Sequence, residues 1–211
     1  REIATKNNII LIFDECTSGF RGAFGGLHKK YSIDPDMAMF GKAMGNGYAI
    51  TAVIGKECIM QEAQSTFISS TFWTERIGPV AALKTLEIME REKSWETISK
   101  VGSRIKKRWI ELAKAYHLKI NIFGIDAIPS FYMPSKDWLK YKTYITQEML
   151  KKNFLASNSV YVSTSHTNKI IDQYLEYLEE IFSKIKQCED GLNIDNLLQN
   201  PVCHSGFDRL N

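Results

Sequence analysis

Apolar residues recur at two different spacings, which separate an N-terminal region of strands from a long helical region. Residues 9–13, IILIF, are five apolar residues in a row, as is typical of a strand buried on both faces of a parallel sheet. Residues 49–55 and 66–70 are its candidate partner strands. From residue 78 to about 115 apolar residues recur every three or four positions, with Pro79 in the first turn, which predicts helices.

The second half of the chain alternates between the two patterns. Strands are predicted at 119–123, 127–133 and 159–165, and helices at 141–154 and from the N-cap Thr167 to 186. This order predicts a small α+β domain. The last residues, 187–211, have weak periodicity, which indicates an extended or loosely helical tail.

The predicted sheet has fewer strands than a fully buried strand requires. We therefore expect the sheet to be incomplete and the chain, whose residue 1 is arginine, to be the C-terminal part of a longer protein. The predicted fold class is α/β.

Composition narrows the classes of partner. Of the 211 residues, 44% are hydrophobic and 24% are charged, as in globular proteins, and the net charge of +3 is small for a nucleic-acid binder. No apolar run reaches the roughly 18 residues that span a bilayer. The four cysteines form no CxxC pair, so we predict neither a metal site nor disulfides, and we expect reduced thiols and a cytoplasmic location.

Two acids follow the first predicted strand. In open α/β sheets the ligand site lies beyond the carboxyl ends of the strands, so Asp14 is well placed to meet a ligand. Side chains alternate along a strand, so Glu15 points the opposite way. The alternative is that both acids have a local structural role and bind loop amides or Arg21.

A single lysine, Lys42, lies in the glycine-rich stretch MFGKAMGNG. In an apolar pocket a lysine loses hydration, and its free amine can then form a Schiff base with an aldehyde. The order of residues does not match a phosphate-binding P-loop, in which the lysine follows the glycines and precedes Ser or Thr. The alternative is a surface lysine on a turn. Lys42 and Asp14 together would meet two needs of pyridoxal 5′-phosphate (PLP), an amine for its aldehyde and an acid for its pyridine nitrogen.

Two segments of the chain together resemble the motifs of class III, fold-type I, PLP-dependent aminotransferases. They are LIFDECTSGFR (11–21) and IDPDMAMFGKAMGNGYAITAVIGK (33–56). Residues 153–182 resemble the end of members similar to glutamate-1-semialdehyde aminomutase. The resemblance covers residues 1–186. It implies the C-terminal part of an aspartate-aminotransferase-like, PLP-binding large domain at 1–88, a small α+β C-terminal domain at 89–186 and a tail at 187–211.

The resemblance also implies residue roles. Lys42 matches the Schiff-base lysine, which also moves a proton, and Asp14 matches the acid that pairs with the pyridine nitrogen. Cys16 stands where the family has Val or Ile against the ring face. Thr74 matches the threonine that donates to the cofactor phosphate of the partner subunit, in a homodimer with the active site at the subunit interface.

The loop around Thr74 departs from the family, which has Ser-Gly-Asn where this chain has Arg76, Ile77 and Gly78. Arg76 either contacts a phosphate or a substrate carboxylate, or pairs with an acid such as Glu75.

The implied reaction is amino-group transfer between a small-molecule amino donor and an aldehyde or keto acceptor. One alternative is a 2,1-aminomutase reaction of the glutamate-1-semialdehyde type. A second alternative, from a different class, is a truncated and catalytically incompetent fragment, because the family's phosphate-binding turn and ring-stacking aromatic residue precede the matched region. The resemblance fixes neither the substrate nor the pathway.

Overall fold

A three-stranded sheet organises the first part of the chain in this computed structural model, which describes residues 1–206. Strand β1 (Ile12–Asp14) runs parallel to the central strand β2 (Met37–Phe40), and β2 pairs antiparallel with β3 (Ala52–Gly55). The strand predicted at 49–55 is therefore present in its second half. Because β1 and β2 are parallel, their carboxyl ends lie at the same edge of the sheet.

Helices and 3₁₀ turns precede, separate and follow these strands along the chain. They are α1 (Glu2–Lys6), α2 (Leu27–Lys30), α3 (Glu57–Met60), α4 (Ile77–Glu92), α5 (Ser94–Ala115) and the 3₁₀ turns Lys42–Met44 and Gln61–Ser65. The helices predicted over 78–115 are confirmed. Lys93 separates α4 from α5 because it adopts a left-handed backbone conformation, φ 48°. The buried core beside the sheet contains Ala38, Phe40, Met44 and Ala82.

The prediction that residues 9–13 form a strand buried on both faces is wrong for this structure. Only Ile12 onward pairs, and the side chains of Ile9, Ile10 and Ile12 are 55%, 50% and 49% exposed. The physical reason is that β1 lies at the edge of the sheet and, among residues 1–206, pairs with β2 alone.

The strand predicted at 66–70 is also wrong. These residues follow the turn Gln61–Ser65 and pair with no strand among the described residues. Phe67 is 96% exposed. The β-branched and aromatic residues that favour a strand have no neighbouring strand to pair with here, and β propensity depends on such neighbours.

Residues from Lys100 onward form a second compact unit, distinct from Arg1–Ser99. It contains the rest of α5, the antiparallel hairpin β4 (Asn121–Phe123) and β5 (Ser130–Tyr132), the helices α6 (Trp138–Lys151) and α7 (Asn168–Glu189), and the 3₁₀ turn Ile194–Asn196. Trp109, Phe131 and Phe182 are fully buried in its core. The boundaries predicted at 88 and 186 stay predictions.

The last predicted strand and helix differ in outcome. The strand predicted at 159–165 is reduced, among residues 1–206, to one bridge between Ser159 and Ser130, and residues 164–165 lie in a turn. Pro129 has no N–H to donate to a longer ladder. The N-cap of α7 is confirmed, since the Thr167 side chain accepts a hydrogen bond from the Ile170 N–H.

The predicted tail is more ordered than expected. Helix α7 extends to Glu189, Ile194 is buried, and the Cys203 N–H donates to Thr143 Oγ1 at 2.9 Å. The part of the tail at 207–211 lies outside the described residues. Within residues 1–206 no helix is both long enough and apolar enough to cross a membrane.

Candidate active site

The carboxyl ends of β1 and β2 bring Asp14 and Lys42 to one edge of the sheet, although 28 positions separate them along the chain. Asp14 is the last residue of β1 and lies opposite Met39 in the parallel ladder. Lys42 follows β2 after a single glycine. Each residue reaches this edge because its own strand ends there.

The Asp14 carboxylate is held by the residue that follows the strand. Its Oδ1 accepts a hydrogen bond from the Cys16 N–H at 3.0 Å. This bond, the Cys16 thiol and the charge of Lys42 lower the pKa of Asp14, against a smaller opposing effect of burial. Asp14 is therefore ionised at neutral pH and can accept a hydrogen bond from a protonated ring nitrogen.

The backbone of Lys42 has a left-handed conformation, φ 45°, which is unfavourable for a residue with a Cβ. The preceding residue, Gly41, is extended and buried. A Cβ at Gly41 would lie 3.5 Å from Thr51 and 3.8 Å from the Cys16 sulfur, so this turn passes close to both side chains. Strain of this kind at a reactive side chain is a feature of functional sites.

The surroundings of the Lys42 amine differ from the predicted apolar pocket. Lys42 is exposed, and its Nζ donates a hydrogen bond to Thr17 Oγ1. Residues 1–206 therefore do not enclose the amine. The desolvation predicted for Lys42 is therefore absent from this structure.

Thr17 is a site residue that the sequence did not reveal. It lies in the irregular loop after β1, where the alternation of side chains along a strand no longer predicts direction. The only signal was a hydroxyl residue three positions after Asp14, and hydroxyl residues are common in loops.

Cys16 is half-buried beside Gly41. Burial raises the pKa of its thiol, as do the hydrogen bond to Asp14 and the negative charge of Asp14, while the charge of Lys42 has the opposite effect. The thiol is therefore protonated at neutral pH. A neutral thiol can pack as a small apolar group.

Thr74 lies on an exposed turn before α4. Within the part of the chain that the structure describes, no hydrogen bond connects Thr74 with Asp14, Cys16 or Lys42. The structure thus brings three of the four predicted site residues together and leaves Thr74 outside that cluster.

The N-terminus of α4 is capped by Glu75, whose carboxylate accepts hydrogen bonds from the N–H groups of Ile77 and Gly78. Arg76 forms no ion pair with Glu75 within residues 1–206. Arg76 instead lines a groove of about 420 Å³ with Tyr48, Ile77, Val80, Ala81 and Lys84.

Comparison with known proteins decides the family. The model of the family described as aminotransferase class-III matches residues 1–182. The chain is a member of the class-III aminotransferase family. Membership indicates an enzyme family whose cofactor is PLP, and it confirms the resemblance inferred from the two sequence motifs.

Two curated relatives show the range of activities among similar proteins. A 3-aminobutyryl-CoA aminotransferase of Cloacimonas acidaminovorans is 34% identical over 193 residues, which are 89% of this chain and 47% of that protein. A glutamate-1-semialdehyde 2,1-aminomutase of Methanosphaera stadtmanae is 26% identical over 202 residues, 88% of this chain and 48% of that protein. The chain spans about half the length of these relatives.

A solved structure of similar fold is the FumI protein of Sphingopyxis sp. MTA144 in its PLP internal aldimine form. Its TM-score is 0.82 at 22% sequence identity, and the match covers 94% of this chain and 49% of that one. The likeness confirms the α/β class and a fold shared with PLP-dependent transaminases.

The groups at the sheet edge fit PLP. Asp14 offers an ionised carboxylate, Lys42 offers an amine, and Cys16, whose thiol is affected by both charges, offers a small neutral side chain. These are the groups that a pyridine nitrogen, an aldehyde and a flat ring require. No three His, Cys, Asp or Glu side chains gather into a candidate metal site among residues 1–206.

Proposed function

We propose that Lys42 binds PLP covalently, as a Schiff base, in an enzyme that moves an amino group from a small-molecule donor to an aldehyde or keto acceptor. The observation that carries this proposal is the parallel pairing of β1 and β2, which places Asp14 and Lys42 at one sheet edge. The 34% identity to a relative named as an aminotransferase supports amino transfer as the reaction.

In this proposal the residues of the chain have separate roles. When bound, PLP supplies an aldehyde that takes up an amino group and a ring that withdraws electrons from the reacting carbon. Lys42 holds the aldehyde through Nζ and later accepts and returns a proton at the same atom. Asp14 keeps the ring nitrogen protonated, and Thr17 Oγ1 orients the lysine amine.

Thr74 and the oligomer belong to the same proposal. We infer that Thr74 donates to the cofactor phosphate in a second subunit, which agrees with its exposed position and its separation from the Lys42 cluster. A homodimer with shared sites follows from that role. Location in the cytoplasm stays a prediction from the pattern of cysteines.

A 2,1-aminomutase is the second candidate reaction. The 26% identity to a glutamate-1-semialdehyde 2,1-aminomutase supports it, and that identity is lower than the identity to the aminotransferase. Incubation with a 1-amino-2-oxo or 2-amino-1-oxo substrate, without any second amino acceptor, separates the two reactions. Amino transfer requires the acceptor and the aminomutase does not.

We infer that residues 1–206 bind PLP weakly by themselves. Lys42 is exposed, and one edge of β1 pairs with no strand among residues 1–206, so this part of the chain does not enclose a group held at the amine. This is the structural basis for the incompetent-fragment alternative.

Absorbance tests the proposal. The chain mixed with PLP should develop a visible band that borohydride abolishes, and Lys42→Ala should remove the band. Lys30→Ala, which changes an exposed lysine of α2, should keep it. A band that persists in Lys42→Ala would show that another lysine holds the cofactor. A band seen only in a longer gene product that contains these residues would support the fragment alternative.

A further inference from the structure

A buried carboxylate lies between two residues of the proposed active site. Glu15 separates Asp14 from Cys16 in the chain, and it is only 2% exposed. The proposed chemistry does not use it. An ionised carboxylate is costly to bury unless hydrogen-bond donors surround it, so its partners are informative.

Donors from three residues converge on the Glu15 side chain. Oε2 accepts from the Ser18 hydroxyl, and Oε1 accepts from the His28 N–H at 3.1 Å and lies 3.3 Å from His28 Nδ1. The Leu27 N–H donates as well. Burial raises the pKa of Glu15, but these hydrogen bonds outweigh burial and hold the pKa below its usual range.

The backbone of Glu15 is held as firmly as its side chain. Its N–H donates to Met39 of β2 at 2.8 Å, and its carbonyl accepts from the Gly19 N–H at 2.7 Å. A Cβ at Gly19 would lie 2.6 Å from that carbonyl, and a Cβ at Gly26 would lie 2.6 Å from Glu15 Oε1. A side chain at Gly19 would meet backbone, and a side chain at Gly26 would displace the side chain of Glu15 or His28. The loop from β1 to α2 is therefore packed closely around Glu15.

We propose that Glu15 is the positioning residue of this active site. By binding Ser18 and the first turn of α2, it fixes the loop that follows β1. It thereby sets where the Asp14 carboxylate and the Cys16 thiol lie relative to Lys42. The proposal rests on the proposed function of Asp14 and Lys42, to which it adds a residue that touches neither substrate nor cofactor.

Alkylation of Cys16 by iodoacetamide reports this positioning without any cofactor. The rate follows the thiolate, whose formation responds to the charges of Asp14 and Lys42. The rate at Cys16 is measured against pH by peptide mass spectrometry. Cys58, which is exposed and lies outside the cluster, serves as a control in the same molecule.

Glu15→Gln should move the pH midpoint for Cys16 downward, because Asp14 no longer holds its place beside the thiol. The shift should reach up to about one unit, the lower end of what a neighbouring charge produces. Asp14→Asn should produce a shift in the same direction, and Glu15→Gln should add nothing in that background. Glu57→Gln, an exposed acid of α3, should leave the midpoint unchanged.

A purely structural role predicts a different pattern. In that case Glu15→Gln lowers the thermal midpoint but leaves the Cys16 profile as in the wild type, and the proposal is overturned. If Glu15→Gln fails to fold, Ser18→Ala takes its place, because it removes one hydrogen-bond donor to Glu15. Ser18→Ala should move the Cys16 midpoint downward by a smaller amount. An unchanged Cys16 profile in Ser18→Ala would then overturn the proposal. Attachment of PLP to Lys42 is a separate measurement, so failure of either claim is visible by itself.

Discussion

Lys42, the residue proposed to bind PLP, has an unfavourable backbone conformation, and this strain has a measurable consequence. At φ 45° a Cβ crowds the following carbonyl, and glycine avoids this contact. Lys42→Gly should therefore be more stable than Lys42→Ala by about 0.5–1 kcal/mol, the strain relieved minus the extra entropy of an unfolded glycine. Chemical denaturation measures the difference.

The control is the same pair of substitutions at Lys30, which lies in α2. There Gly should be less stable than Ala, as in other helices. If Lys42→Gly is also less stable than Lys42→Ala, the turn at Lys42 carries no strain.

The hydroxyl of Thr17 gives a second prediction at the scale of one residue. Thr17→Val keeps the shape of the side chain but removes the acceptor of the Lys42 amine hydrogen bond. Covalent uptake of PLP should slow by about two- to tenfold, which corresponds to the free energy contributed by one exposed hydrogen bond. Stopped-flow absorbance measures the rate.

Thr66→Val is the matched control, since the Thr66 hydroxyl donates a hydrogen bond to the nearby Ala63 carbonyl and makes no hydrogen bond with Lys42 in the described part of the chain. An equal rate in wild type and Thr17→Val would mean that Thr17 does not orient the amine.

At the scale of elements, Asp36 connects the segment before β1 with the start of β2 and the end of β3. Its carboxylate accepts from the Leu11 N–H at 2.8 Å, from Arg1 at 2.8 Å and from Lys56 at 3.0 Å. These bonds hold the pKa of Asp36 well below its usual range, the Leu11 N–H having the largest effect.

The lowered pKa of Asp36 determines the direction in which stability changes with pH. Because the folded-state pKa lies below the unfolded value, the stabilisation is present above about pH 4 and is lost as pH falls toward the folded pKa. The thermal midpoint of the wild type should therefore fall more steeply from pH 5 to pH 2 than that of Asp36→Asn. Differential scanning fluorimetry measures both profiles.

Asp34→Asn is the comparison, because Asp34 also contacts Lys56 but its side chain is 82% exposed. Exposed ion pairs contribute little, so its profile should follow the wild type. Parallel profiles for wild type and Asp36→Asn would show that this connection does not stabilise the sheet.

At Gly102, helix α5 packs closely against the backbone of Asp126. A Cβ there would overlap the carbonyl oxygen of Asp126, which belongs to backbone and cannot rotate away. Gly102→Ala should destabilise the second unit by about 1–3 kcal/mol, despite the better helix propensity of alanine. Urea unfolding measures the loss.

Gly206→Ala, where a Cβ meets open space, should be neutral. A Gly102→Ala variant as stable as the wild type would show that α5 can move away from Asp126 at little cost.

The elements with a strong local signal could be predicted from sequence. Helices α4 and α5 follow from apolar spacing, and the start of α7 follows from the Thr167 cap. The strands at 9–13 and 66–70 could not be predicted correctly, because apolar runs indicate burial only if neighbouring strands are present to bury them.

The candidate site likewise contains some residues whose positions could be predicted from the sequence and others whose positions could not. The position of Asp14 beyond the carboxyl end of the first strand could be predicted from the sequence. No strand was predicted at Met37–Phe40, whose parallel pairing with β1 brings Lys42 to the same edge. Thr17 and the hydrogen bonds of Glu15 depend on the path of an irregular loop, which no periodicity encodes. The roles of Lys42 and Asp14 toward PLP stay proposals.

At the scale of the whole molecule, the first unit exposes many large apolar side chains. They are Ile9, Ile10, Ile12, Phe67, Ile68, Phe72, Trp73, Ile77, Val80 and Leu83. Exposed apolar patches of this kind mark surfaces that other protein covers, and unpaired strand edges promote association. We expect the chain to self-associate with rising concentration in sedimentation velocity experiments.

The double variant Phe72→Ser and Trp73→Ser should weaken this association, because both aromatic side chains are mostly exposed. Leu155→Ser, at a 92% exposed leucine of the second unit, is the control and should not weaken it. Equal sedimentation of all three proteins would place the contact elsewhere on the surface.

The central claim is that Lys42 holds PLP, and identification of the modified lysine tests it most directly. Protein incubated with PLP is reduced with borohydride, digested and analysed by peptide mass spectrometry. The account predicts that the peptide containing Lys42 carries the reduced cofactor in preference to every other lysine peptide, and that Asp14→Asn lowers this labelling. Labelling spread over surface lysines such as Lys30, with no excess at Lys42, would contradict it.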